Sequence, residues 1–106
     1  MGAFDTAIDP VAATPADTNE ATLFTATADT SVLVDAANIG GATTDIKVGI
    51  TPSGGSVHWK VFNLPVPVGE SILGIGPLFL TSGDAVTVRT ATANNITFSL
   101  TGVESS

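Results

Sequence analysis

An all-β fold is predicted: an antiparallel β-sandwich of jelly-roll or immunoglobulin-like kind, with about seven or eight short strands and an extended N-terminal arm. Three observations predict it. From Pro77 to Glu104 apolar residues recur at every second position with hydroxyl residues between them, the pattern of strands with one buried face. Turn signals follow one another about every eight to twelve residues from Thr22 onward, the cadence of a sandwich or barrel. Charged residues make up only 12% of the chain and aromatics 6%, while Thr, Ala, Gly and Val dominate, a composition of short strands with a neutral, hydroxyl-rich surface.

Residues 1–20 read as an arm and 21–106 as the sandwich domain. The arm holds small residues, two prolines and isolated large apolar residues at Phe4, Ile8 and Val11. These three share one face at helical spacing, which allows a short helix from Asp5 to Asp9 that Pro10 would end; beyond it the arm is extended. Thr22–Thr27 forms the first strand of the domain and Ser31 to Ile39 the second. Ala28-Asp29-Thr30 turns between them through the Asp29 side chain, and Gly40-Gly41 ends the second. Asp45–Thr51 points Ile46, Val48 and Ile50 inward and Lys47 and Gly49 outward. The hairpin loop Pro52-Ser53-Gly54-Gly55 leads into Ser56–Phe62, where Val57, Trp59 and Val61 share one face and His58, Lys60 and Phe62 the other. Pro65 and Pro67 make Asn63–Gly69 an edge or crossover segment. Ser71–Gly74 and Leu78–Leu80 are short strands flanking Gly76-Pro77. Ser82-Gly83-Asp84 turns the chain with Gly83 left-handed, and the final pair, Ala85–Ala91 and Ile96–Val103, is joined through Asn94-Asn95.

With 106 residues the chain builds one domain that buries roughly 60 to 70% of its unfolded surface. It has no cysteine, so packing alone holds it and thiol chemistry is excluded. Three Lys plus Arg against ten Asp plus Glu give a formal charge of −7, which repels a phosphate backbone and argues against nucleic acid. Residues 1–35 carry Asp5, Asp9, Asp17, Glu20, Asp29 and Asp35 with no Lys or Arg, so a partner of that region would be basic. No secretion signal and no run of ~20 apolar residues is present, and the expectation is a protein made in a cytoplasm, with no membrane partner.

Candidates for chemistry are few. His58 is the only histidine and lacks a neighbouring carboxylate or cysteine in sequence, so neither a zinc site nor a nucleophile–base pair can be built on it. It reads as a surface or interface strand residue. Gly74-Ile75-Gly76 lacks the helix and third glycine of a nucleotide loop and reads as a bend. Asp17-Thr18-Asn19-Glu20, and Asp35 with Asn38 and Asp45, offer oxygen ligands without the spacing of a calcium loop. Asn95-Ile96-Thr97 fits a glycosylation sequon but reads as a turn entering a strand. The expectation is no catalytic residue, no metal and no cofactor. Trp59, alternating with Val57 and Val61, is expected in the core. Phe62 is either an exposed aromatic flanked by polar tips, the make-up of a protein interface, or part of a central strand covered on both sides.

The succession Thr22–Ala26, Ser31–Val34, Ile39–Ile50, Pro52–Gly55, Leu78–Val88 and Ile96–Glu104 resembles small virion structural proteins of tailed bacteriophages, including phages of marine and freshwater cyanobacteria. The resemblance lies in pattern and turn placement over about residues 21–104 and does not reach the arm. It implies a hydroxyl-rich β-sandwich displayed on the virion, either as a capsid decoration (cement) protein on the major capsid protein lattice or as part of a tail fibre or baseplate that binds a receptor or carbohydrate. By analogy with cement proteins it implies a homo-oligomer, a trimer. An arm of twenty extended residues spans up to ~60 Å, enough to lie across a neighbouring subunit. The interface residues expected on this reading are Phe4, Ile8 and Val11 in the arm and His58, Lys60 and Phe62 on the domain.

Overall fold

The computed structural model describes residues 6–105. Nine strands follow in order: β1 (Thr6–Ala7), β2 (Val11–Ala13), β3 (Ala21–Thr25), β4 (Thr30–Asn38), β5 (Thr44–Thr51), β6 (His58–Val66), β7 (Ser71–Leu80), β8 (Ala85–Thr90) and β9 (Ile96–Glu104). They form two sheets. Sheet A runs β1-β9-β4-β7, with β2 continuing the edge that β1 makes on β9, and sheet B runs β3-β8-β5-β6. Pairing is nested: β2 with β9, β3 with β8, β4 with β7 and β5 with β6, all antiparallel. A long hairpin rolled up in this way is the connectivity of a jelly roll, which decides between the two sandwich topologies the sequence allowed.

Alternation places the core. Val32, Val34 and Ala36 on β4 and Ile96, Phe98 and Leu100 on β9 face inward from sheet A, against Ile46 and Val48 on β5 and Val86 and Val88 on β8 from sheet B, and all are buried. The two central ladders, β4 with β9 and β5 with β8, keep one register throughout. The turns carry the expected chemistry: Gly83 (φ 93°) and Asn94 (φ 58°) are left-handed, and Gly55 N–H closes the Pro52 turn at 2.9 Å. At the first turn the bond comes from a different side chain, since the Thr30 hydroxyl donates to the Ala28 carbonyl at 2.7 Å.

Several boundaries differ from the sequence reading. Among the described residues seven strands lie from residue 21 onward, within the expected seven or eight, and two more, β1 and β2, lie before it; four of the strands run to nine or ten residues and are not short. Ser71–Leu80 is one strand because Gly76-Pro77 falls in a bulge, where Val32 opposes Leu78 but Val34 opposes Ile75. A proline is tolerated there because β7 is the sheet's edge. In the same way β6 continues past Phe62 to Val66 on an edge, with Asn63 in the left-handed conformation (φ 54°) absorbing the irregularity. Residues 6–20 hold no helix, and within them Thr6–Ala7 and Val11–Ala13 pair with the chain's own β9; Asp5, where the expected helix would begin, lies outside the described residues. Ile8 and Val11 are half-buried against the core of the same chain. Among the described residues no helix is long and apolar enough to cross a membrane, which says nothing of crossing by strands.

Candidate functional site: two unlike outer faces

The residues with something left to offer a partner lie on the outward rows of the two sheets. On sheet A the outward row of β4 is Ser31, Leu33, Asp35 and Ala37. Ser31 stands between Phe79 of β7 and Val103 of β9, and Leu33 stands opposite Thr101. Phe79 is 73% exposed, Leu33 42% and Val103 41%. Two shallow depressions of about 330 and 310 Å³ join them, one lined by Asp29, Phe79 and Val103 and the other by Leu33, Pro77 and Val103. Leu73, 74% exposed, extends the apolar surface along β7. It is pushed outward by the bulge at Gly74 (φ 69°), whose N–H donates to the Asp35 carboxylate at 2.7 Å. The strands of this sheet carry no Lys or Arg.

Sheet B is the opposite. Lys47, Lys60 and Arg89, the chain's entire complement of Lys and Arg, lie on β5, β6 and β8. Lys47 and Arg89 are direct cross-strand partners on the outward row. Two register shifts in the β5–β6 ladder then decide what β6 presents: Val61 opposes buried Val48, whereas Trp59 opposes outward-facing Gly49. Trp59 is therefore not a core residue, contrary to expectation. Its ring and that of Phe62 lie on the same outer side, with Lys47 Nζ 5.7 Å from the Trp59 centroid and 4.3 Å from that of Phe62. A Cβ on Gly49 would lie 2.5 Å from the His58 carbonyl and 3.0 Å from Trp59 Cα, so only glycine lets β6 approach this closely.

Of the expected interface residues, Phe4 lies outside the described residues. Ile8 and Val11 help cover the core of their own chain, although both also border an open depression beside Phe24. His58, Lys60 and Phe62 are all exposed on β6, but the bulge at Lys60 breaks the single strip they were expected to form. His58 is the ladder partner of Ile50, while Phe62 shares the outer face with Lys47. Sequence reasoning missed Phe79, Leu33 and Val103, the exposed apolar cluster of sheet A. Leu78-Phe79-Leu80 is a continuous apolar run, and only its register against Ser31 shows which member faces out.

The polar groups singled out in sequence are otherwise engaged. Asn38 and Asn95, both nearly buried, knit one end of the sandwich: Asn38 Nδ2 donates to the carbonyls of Ala42 (2.8 Å) and Val66 (2.9 Å), and Asn95 Nδ2 donates to Asn38 Oδ1 (3.1 Å) and the Ala42 carbonyl (2.8 Å). Asp35 and Asn38 sit in sheet A and Asp45 in sheet B, and among the described residues no three His, Asp or Glu side chains converge as metal ligands. Asp84 holds the β7–β8 turn, and its carboxyl is kept below the usual aspartate range chiefly by the Thr81 N–H, with the Thr81 hydroxyl and the Ser53 N–H adding to it. The chain matches no protein-family model, no curated protein and no solved structure.

Proposed function

We propose that this chain is a phage virion structural protein, a non-enzymatic capsid decoration (cement) protein that binds the outer surface of the capsid lattice as a homo-oligomer, a trimer, and stabilises contacts between major capsid protein subunits. The observation that carries this reading is the exposed apolar face of sheet A around Phe79, Leu33 and Val103, which has acids at its margin and no cation of its own. Such a patch on a small soluble domain marks a contact with another protein. Its charge suits a lattice surface that is apolar and edged with Lys or Arg.

Sheet edges do not compete for this role. β7 is bulged at Gly74 and Gly76-Pro77, β6 at Lys60 and Asn63 with Pro65 beyond, β3 at Leu23, and β1 and β2 are only two and three residues long around Pro10. These are the devices by which proteins prevent edge-to-edge pairing, and they leave faces as the adhesive surfaces. The mechanism is mass action: a ligand that binds only the assembled shell lowers its free energy relative to other states, repeated at every lattice site.

Two measurements test the reading together. Quantitative mass spectrometry of purified virions should return a copy number comparable to that of the major capsid protein; a small multiple of the tail's rotational symmetry would instead make the chain a tail fibre or baseplate module. Phe79→Ser should lower rebinding to stripped capsids at least about tenfold, the loss expected of a central aromatic contact. Undiminished rebinding would remove sheet A from the contact.

A further inference from the structure

We propose that the outer face of sheet B is a second binding site, for a carboxylate-bearing polysaccharide. Four observations converge on it. The first is economy of charge: a chain with ten carboxylates and three cations places all three cations on one sheet. The second is their arrangement. Lys47 and Arg89 stand directly opposite each other in the β5–β8 ladder, and like charges in that position destabilise a sheet. An anion between them turns that repulsion into attraction.

The third observation is shape. Lys47, Arg89, Asn63, Asp45 and Thr18 line a depression of about 310 Å³. Arg89 is anchored at its rim, with Nε donating to the Thr18 carbonyl at 2.7 Å. That bond uses one of the five guanidinium N–H groups and fixes the plane in which the others are offered. Asn63 is held in the left-handed conformation at the bulge of β6, a backbone state that concentrates at ligand-binding positions. The fourth is the neighbouring aromatic surface, Phe62 at 60% exposure with Trp59 beside it.

The mixture of groups selects the ligand. A bare inorganic anion needs donors alone, and the Asp45 carboxylate in the same depression would repel it. A sugar acid uses everything present: its carboxylate meets Lys47 and Arg89, its hydroxyls donate to Asp45 and exchange hydrogen bonds with Asn63, and the C–H face of an adjoining ring rests on Phe62. A nucleic acid backbone carries charge at every residue and is repelled by the overall −7. Because sheets A and B face opposite ways, a molecule seated through sheet A would present this site to the surroundings, and the residues of sheet B can bind whatever sheet A contacts.

Native affinity electrophoresis of the full chain in gels containing alginate oligosaccharide, a polyuronate, tests the proposal. Parallel gels contain neutral dextran, poly-glutamate or single-stranded DNA. The expected result is retardation in alginate alone, weakening as salt rises. Lys47→Gln and Phe62→Ser, both substitutions at the surface, should each weaken it about tenfold while the chain stays folded, with Lys47→Gln relieved of the repulsion from Arg89, and Phe79→Ser should leave it unchanged. Equal retardation by poly-glutamate or DNA would show that charge alone is read and would overturn the sugar assignment. No retardation in alginate, or retardation that survives Lys47→Gln, would overturn the site. Neither result bears on capsid binding, which is read by Phe79→Ser.

Discussion

The central strands and the outer strands of this sandwich follow different rules. β4 with β9 and β5 with β8 hold an unbroken register, and their inward rows supply most of the core, from Val32 and Val34 to Phe98 and Leu100. β6 and β7 are shifted in register twice each, and the exposed Phe62 and Phe79 and the half-buried, outward-facing Trp59 all stand on them. Regular ladders make the body and irregular edges carry the outward-facing aromatic side chains. A bulge costs ladder hydrogen bonds and core contacts, but it re-aims side chains, and on β6 it turns Trp59 from the core to the Lys47 side.

If this division is right, the two classes of strand must respond differently to substitution, and the largest difference is between two phenylalanines. Phe98, on central β9, is fully buried. Phe98→Ala should cost about 3 to 5 kcal/mol, from lost apolar transfer and the cavity left behind. Phe79→Ser on outer β7 should change stability by no more than about 0.5 kcal/mol, as exposed positions do. Urea unfolding followed by Trp59 fluorescence measures both. A destabilisation by Phe79→Ser approaching that of Phe98→Ala would mean that the apolar face of sheet A is structural and is not held in reserve for a partner.

Gly49 sharpens the comparison because it sits where a central strand meets an outer one. Gly49→Ala pushes a methyl group into the His58 carbonyl, and β6 must move away from β5. Overpacking of this kind costs typically about 1 to 3 kcal/mol. The damage should stay local: Trp59 emission should shift to the red and binding at sheet B should fall, while capsid binding through sheet A persists. Loss of both faces together would show that the outer strands are not independent of one another.

The same division explains what could be read from the sequence. Strict alternation over Val32–Ala36, Ile46–Ile50, Val86–Val88 and Ile96–Leu100 was legible because an unbroken ladder preserves a period of two. Trp59 was misassigned because the extra residue at Lys60 reverses the alternation, and nothing in Ser56–Phe62 marks where that residue falls. Ser71–Leu80 was divided because Gly76-Pro77 has the composition of a turn, whereas an edge strand accommodates it as a bulge. The pairing of Thr6–Ala7 and Val11–Ala13 with β9 was invisible for another reason: it depends on a strand about ninety residues away, while the local signals, two prolines and small side chains, are those of a free terminus. Cation segregation was hidden as well, since Lys47, Lys60 and Arg89 are scattered in sequence and meet only through strand order.

Asp84 offers the smallest test, at the turn by which the chain passes from outer β7 in sheet A to central β8 in sheet B. The Thr81 N–H at 2.9 Å, the Thr81 hydroxyl at 3.0 Å and the Ser53 N–H at 3.3 Å all donate to its carboxylate, and the first of these is the main reason its proton affinity is lowered. A carboxyl that binds its proton more weakly in the folded chain than in the unfolded one stabilises the fold when ionised. The contribution is complete above the ordinary aspartate range near about pH 4 and disappears as pH falls through the lowered folded value. Asp84→Asn should therefore melt slightly below the unmodified chain at neutral pH, and the two melting temperatures should converge only as pH falls through the lowered folded value, where the aspartate of the folded chain also becomes uncharged. The group is exposed, so solvent screening keeps the gap small. A gap of constant size from neutral to acid pH would mean that the turn is held by geometry alone, and that the crossing between the outer and central strands owes nothing to the charge of Asp84.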